Sequence, residues 1–308
     1  MESDPIWKKA IQRYIDKFFE FFFPEIFYDI DFSKGVKFYD KELQKITKDS
    51  KIGKRVADTL IEVKLKNGDE KLILIHVEVQ SYPEKEFSKR MFTYNYKIYD
   101  RYEKEVVSLA ILADEDESFR DNVFQRKRWG FELRFEFPYV KLLDYRGKEE
   151  KLKKDDNPFS VIVLTFLKEF ESENEEERYV GKLELIKSLY DKGYTKEDVL
   201  MLYEFIDWMM RLPEDLDRRL YREIEKIEEV RKVRFVTTAE RIGMEKGLKK
   251  GMEKLKEILK KQIRVKFKDL PEGLERLIDE SPVEKVEEVA VKIFDVESLD
   301  EIERILRS

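Results

Sequence analysis

The run Leu72-Ile73-Leu74-Ile75-His76-Val77-Glu78-Val79-Gln80 decides the architecture of this chain. Its first half is apolar on both faces, the mark of a strand in the middle of a sheet. In its second half, the period of two puts His76, Glu78 and Gln80 on one face and Val77 and Val79 on the other. A buried strand thus ends with its polar groups collected on one side, where they need partners.

Working outward, Arg55 to Leu65 reads as a second strand, joined to the first through Lys66-Asn67-Gly68-Asp69-Glu70, since Asn-Gly is a strong hairpin signal. After Pro83, Glu86 to Tyr102 has helical spacing, and Val106 to Ala113 is another apolar strand, running into Asp114-Glu115-Asp116. A helix between two apolar strands predicts a crossover and parallel pairing. Further strands are expected at Gly130 to Phe137 and Tyr139 to Tyr145.

Before the sheet, Ile6, Ile11, Tyr14, Ile15, Phe18, Phe19 and Phe22 predict a helix from Pro5 to Pro24. From Asn157-Pro158 onward the pattern is helical, with stops near Gly193, Pro213, Pro271 and Pro282. The five Glu among residues 171–177 read as a solvated helix start or loop. The expected fold class is α+β: a central mixed sheet flanked by helices, then an all-helical C-terminal half. The expected segments are a core at 1–150, a helical extension at 151–235, and a basic helix with a small helical domain at 236–308.

Composition limits the chemistry. The 308 residues include 62 Lys plus Arg, 68 Asp plus Glu, one His and no Cys, for a net charge of −6. An apolar share of 42% argues against disorder. The lack of Cys excludes disulfide staples and thiolate sites, and one His excludes an all-histidine metal cage. Phe18 to Phe23 and Phe159 to Leu167, the longest apolar stretches, fall far short of the ~20 residues of a spanning helix. Met1-Glu2-Ser3-Asp4 lacks the basic flank of a signal peptide, so a cytoplasmic protein without a membrane partner is expected.

Asp58 and Glu78 are the candidate pair. Residues opposite one another in an antiparallel ladder share a face, so the sum of their numbers fixes the register. A two-residue turn on Asn67-Gly68 gives a sum of 135 and sends Asp58 and Glu78 to opposite faces; a loop of three or five residues pairs them directly. Side by side, two carboxylates repel unless a cation sits between them. Oxygen donors with no Cys and one His point to Mg²⁺ or Mn²⁺, which polarises a phosphodiester and lowers the pKa of an attacking water. His76 shares the face of Glu78 and is either an accessory in proton transfer or a core histidine with a satisfied hydrogen bond. Arg90, Tyr94, Lys97 and Arg101 recur at i, i+4, i+7 and i+11, a stripe that either grips phosphates or faces solvent.

Arg55-Val56-Ala57-Asp58-Thr59-Leu60, Leu74 to Gln80 and Arg90-Met91-Phe92-Thr93-Tyr94-Asn95-Tyr96 resemble the Rpn family, recombination-promoting nucleases and transposase-like proteins of the PD-(D/E)XK nuclease superfamily. The resemblance continues through Asp40-Lys41-Glu42-Leu43, Asn157-Pro158-Phe159, Ile206 to Met210 and Glu240-Arg241. It implies a restriction-endonuclease-like core and a Mg²⁺-dependent endodeoxyribonuclease acting on DNA in recombination, mobile elements or phage defence. Asp58, Glu78 and the main-chain carbonyl of Val79 would bind the metal, with Glu42 a further acidic candidate and Asp40 a weaker one. Gln80 stands at the catalytic position where most of the superfamily carries Lys, and Ala57 precedes Asp58 in place of Pro. Glutamine can orient a water but brings no positive charge. The alternative is a module that keeps the nuclease fold and binds DNA or protein without cutting.

The total charge hides an asymmetry: residues 231–268 hold 14 Lys plus Arg against 4 Glu, and residues 269–308 hold 5 against 13 acidic groups. The basic stretch is a candidate for sequence-independent contact with nucleic acid, or for pairing with the acidic tail of its own or another chain. Gly243, Gly247 and Gly251 lie four apart beside a seam of Leu248, Met252, Leu255 and Leu259, which predicts a homo-oligomer through this helix.

Overall fold

The computed structural model describes residues 5–39, 59–66, 72–231, 238–293, 296 and 298–307. The expected hairpin turn on Asn67-Gly68 and the candidates Asp40, Glu42 and Asp58 lie outside these residues. Contacts divide the chain into two units, Met1–Phe235 and Val236–Ser308.

The first unit is mixed α+β. Its sheet contains β1 (Lys37–Phe38), β2 (Thr59–Lys64), β3 (Leu72–Gln80), β4 (Val106–Leu112) and β7 (Tyr139–Lys141), in the order β1-β2-β3-β4-β7. β3 is central as its apolar run requires, antiparallel to β2 and parallel to β4. The parallel pair is closed by the crossover helix α4 (Phe87–Tyr102). Leu60, Leu74, Ala110 and Leu112 share the face under α4, where Ile98, Phe87 and Met91 cover them. Of the expected strand Tyr139 to Tyr145, only Tyr139–Lys141 pairs; Leu142–Tyr145 tightens into a 3₁₀ turn.

Three helices precede the sheet: α1 (Pro5–Arg13), α2 (Ile15–Phe22) and α3 (Pro24–Asp29). The expected single helix is broken at Tyr14, whose backbone leaves the helical region (φ −120°, ψ 41°). Its hydroxyl donates to Asp198 (2.8 Å). After the sheet come α5 (Glu149–Lys154), α6 (Pro158–Glu171), α7 (Glu175–Asp191), α8 (Lys196–Met209) and α9 (Glu214–Arg231). Asn157, Asn174 and Thr195 cap α6, α7 and α8 with side-chain oxygens. Glu175, Glu176 and Glu177 fill the first turn of α7, where carboxylates favour the positive end of the helix dipole, so the acidic run is a helix start. These helices pack back on the N-terminal ones: Trp7 meets Phe205 edge-on at 5.2 Å, and Phe18 meets Phe159 at 5.4 Å.

A separate two-stranded sheet, β5 (Val123–Arg128) with β6 (Phe131–Glu136), was expected only in its second strand. Its turn is Trp129-Gly130, both left-handed (φ 50° and 85°), the type I′ geometry of a two-residue hairpin. The root is fixed on α4 by Phe92, which stacks on Phe124 (5.1 Å) and meets Phe135 edge-on (5.7 Å).

The second unit holds α10 (Thr238–Phe267), α11 (Glu272–Glu280), α12 (Val283–Lys292) and α13 (Leu299–Arg307) around Leu259, Ile263, Ile278, Val286, Val289 and Ile302. Leu259 is fully buried in this core and Leu255 packs against it, so two of the four seam positions are used within the unit. The side chains of Leu248, Met252 and the three seam glycines lie outside the described residues. The basic end of α10 is matched by the acidic tail of its own chain. Lys260 pairs with Asp279 (2.8 Å) and Arg264 with Glu275 (3.1 Å), while Lys266 donates to the carbonyl of Ile293 (2.7 Å).

Candidate active site

The β2–β3 register places Thr59 opposite Val77 and Leu60 opposite His76, a sum of 136. That excludes the 135 register of a two-residue turn. It is the register the three- or five-residue loop requires, although Asp58 itself lies outside the described residues. His76, Glu78 and Gln80 then face α4, and all are closed from solvent at 0%, 0% and 2% exposure. Val79 is fully buried, its side chain on the opposite face of the strand.

Arg90 reaches into this cluster from the first turns of α4. Its Nη1 donates to Glu78 Oε1 (2.7 Å), its Nη2 to Gln80 Oε1 (2.7 Å) and its Nε to Glu84 Oε2 (3.2 Å). Burial works against the guanidinium, but the carboxylates of Glu78 and Glu84 outweigh it and raise the Arg90 pKa, so the charge is permanent. Arg90 therefore departs from the expected solvent-facing stripe: it is 1% exposed because it lies between Phe87, Met91 and Tyr94 on the inward face of the helix. Tyr94 is buried with it, its ring edge-on to His76 at 5.8 Å. Lys97 is half-buried and Arg101 exposed, so only the far end of the stripe meets solvent.

Gln80 has both ends engaged. Its oxygen accepts from Arg90 and its Nε2 donates to the carbonyl of Tyr82 (2.7 Å), so its shown contacts brace the guanidinium. His76 is buried as the core reading expects, and among the described residues neither ring nitrogen has a hydrogen-bond partner; Nε2 lies 3.7 Å from Glu78 Oε2, beyond hydrogen-bonding distance.

Burial, with Arg90 alongside, depresses the His76 pKa from 6.5 to about 3, so the ring is neutral near pH 7 and lacks the imidazolium proton that a general acid would give up. The folded value lies below the unfolded one, so its stabilising contribution is complete above pH 6.5 and is lost as pH falls from 6.5 toward 3. At pH 5 this costs about 2 kcal/mol, from roughly 1.4 kcal/mol per unit. Urea titrations at pH 7 and pH 5 should show a smaller loss for His76→Phe by about that amount. Equal losses in the two proteins would mean that the histidine titrates normally.

Among the described residues, Glu78 Oε2 is buried with no hydrogen-bond partner, beside His76 nitrogens that also lack one. An unmet buried carboxylate oxygen costs roughly 1–3 kcal/mol or more, so the position favours a cation. The donor chemistry fits Mg²⁺ or Mn²⁺, which take oxygens from one or two carboxylates. Among the described residues no three His, Cys, Asp or Glu side chains form a group able to hold a metal, so a second carboxylate must come from elsewhere.

Beside the ends of β3 and β4 opens a cleft of about 550 Å³, lined by Trp7, Tyr82, Trp208, Glu115, Asp116 and Glu169 among others. No Lys or Arg is among its described lining residues, so phosphate contacts there have no basic partner.

Residues 36–112 match the family described as "Putative transposase, YhgA-like". This agrees with the Rpn-like resemblance of the sequence and points to a function connected with mobile elements. The YhgA-like segment opens just before β1 and closes on Leu112, the last residue of β4, so it contains Glu78, Gln80 and Arg90. No curated protein and no solved structure matches the chain. No helix among the described residues is long and apolar enough to cross a membrane.

The resemblance and the strand pattern singled out Glu78, Gln80 and His76, and the structure brings these together with Arg90 and Tyr94. Sequence reasoning missed Glu84, which holds the Arg90 Nε, and the inward turn of Arg90. The available signal was that position 90 falls inside the apolar stripe Phe87, Met91, Tyr94, Ile98.

Proposed function

We propose that the YhgA-like segment is the core of a PD-(D/E)XK-type, metal-dependent DNA endonuclease working in a mobile-element or phage-defence setting. The observation that carries this reading is Glu78: a buried strand-end carboxylate with one oxygen on Arg90 and the other without a partner among the described residues. Asp58, Glu78 and the Val79 carbonyl would hold Mg²⁺ or Mn²⁺, with Glu42 as an additional ligand. The bound ion would polarise the phosphodiester and lower the pKa of water. Arg90 brings a fixed positive charge to within 2.7 Å of Gln80 Oε1, compensating for the lysine that Gln80 replaces.

A second reading rests on a different observation. Glu78, Gln80 and Arg90 are almost fully closed from solvent and largely satisfy one another, as in a nuclease fold retained for binding without cleavage.

Supercoiled plasmid incubated with the protein and Mg²⁺, Mn²⁺ or EDTA separates the two. The nuclease reading expects metal-dependent nicking that falls by on the order of 10² or more in Asp58→Ala and Glu78→Gln proteins of confirmed fold. Absence of cleavage from folded protein that still binds DNA would establish the second reading.

A further inference from the structure

The β5–β6 hairpin ends in a group of residues that its own fold does not use. Trp129 at the tip is 95% exposed, and Phe131 beside it is 60% exposed. Trp129 occupies the first position of a type I′ turn, where Asn, Asp or Gly is favoured and a bulky side chain at φ 50° is an outlier. Its ring carries the Arg128 guanidinium at 5.4 Å and is otherwise turned to solvent.

Charge is divided between the two faces of the hairpin. On one face, Lys127 pairs with Glu132 (3.0 Å) and Arg134 with Glu136 (2.6 Å), so the charges cancel. On the other, Arg126 lies over the Phe124 ring (5.2 Å) and Arg128 over Trp129, and neither forms an ion pair among the described residues. Both are exposed. The arm is fixed at its root through Phe92, on the same helix that holds Arg90 against Glu78. Exposed guanidinium groups beside an exposed aromatic face are the chemistry that grips phosphates and stacks on a base.

We propose that the β5–β6 hairpin is a nucleic-acid-binding arm, in which Arg126 and Arg128 contact backbone phosphates and Trp129 stacks on an unpaired base. The choice of partner rests on the nuclease reading, but the arm acts by binding and is tested without cleavage.

The test is fluorescence anisotropy of a dye-labelled DNA duplex with a single-stranded overhang, titrated with the full chain in EDTA at several salt concentrations. Trp129→Asn suits the turn, so its unfolding midpoint should not fall, while its affinity drops on the order of tenfold at an unchanged salt slope. The Arg126→Gln/Arg128→Gln protein should bind more weakly and lose about 1 to 2 units of that slope. Equal affinity of wild type and both variants overturns the arm, and if wild type also nicks plasmid, the nuclease reading survives. Weakened binding by both variants, with no nicking by wild type in Mg²⁺, keeps the arm and removes the nuclease. Wild-type protein that ignores DNA, including one that inserts Trp129 into phosphatidylserine vesicles, overturns the arm.

Discussion

Replacing Arg90 with methionine is expected to destabilise the protein by about 3–5 kcal/mol, the cost of breaking a buried ion pair from one side. Both side chains are 1% exposed, so solvent neither screens the pair nor takes over when it breaks. Methionine fills the space of the Arg90 stem but leaves the buried Glu78 charge without its cation, beside a His76 ring that burial keeps neutral. Urea titration at pH 7 reads the loss. Arg90→Met/Glu78→Gln should recover more than half of it, because the fully buried charge is then gone and the remaining carboxylate, Glu84, is 17% exposed. A single variant within about 1 kcal/mol of wild type would show that Glu78 reaches water and that the site is open.

The second large effect lies at the same strand ends but toward the β7 edge of the sheet. Lys141 and Asp114 form a pair at 2.6 Å with both side chains 0% exposed. Lys141 also donates to the carbonyl of Asp116 (2.8 Å), and Asp114 Oδ1 accepts from the Asp116 amide (3.0 Å). Among the described residues Asp114 Oδ2 has no hydrogen-bond partner, so the lysine is the main compensation for this carboxylate. Lys141→Met should cost about 3–5 kcal/mol in thermal or urea unfolding, and Lys141→Met/Asp114→Asn should restore a large part. Hydrogen exchange should quicken first at β7, which pairs with β4 through only three residues. Unchanged exchange at β7 would mean that the pair does not hold that edge.

Much of the sheet was legible because its signals are local. Leu72 to Ile75, apolar on both faces, can only be a central strand, and the helix between it and Val106 to Leu112 forces the parallel pairing. The register was not legible: Asn67-Gly68 allows sums of 135 or 136, and the observed pairing of Thr59 with Val77 decides it. β5 escaped because Gln125, Arg126, Lys127 and Arg128 are exposed and carry no buried face for a period to reveal. Its turn lacks the Asn-Gly signature, since Trp129 stands where Asn usually does. Arg90 misled for the opposite reason. Arginine ordinarily faces water, and although the stripe Phe87, Met91, Tyr94, Ile98 points position 90 inward, it does not reveal the carboxylate 12 residues earlier that meets it from the strand below.

The chain order of these contacts also sets the order in which they can form during synthesis. Arg90 and Glu78 are 12 residues apart, whereas α1 reaches its partner α8 through contacts such as Arg13 with Asp198, 185 residues apart. The ion pair at the candidate site can close once α4 has been made, at little loop-closure cost. The apolar face of α1, with Ile6, Trp7, Ala10 and Ile11, must wait for Lys196–Met209. At ribosomal speeds of about 5–20 residues per second, that delay is roughly 10–40 s. Through that interval the apolar face of α1 stays without α8 to cover it, exposed to any competing apolar contact.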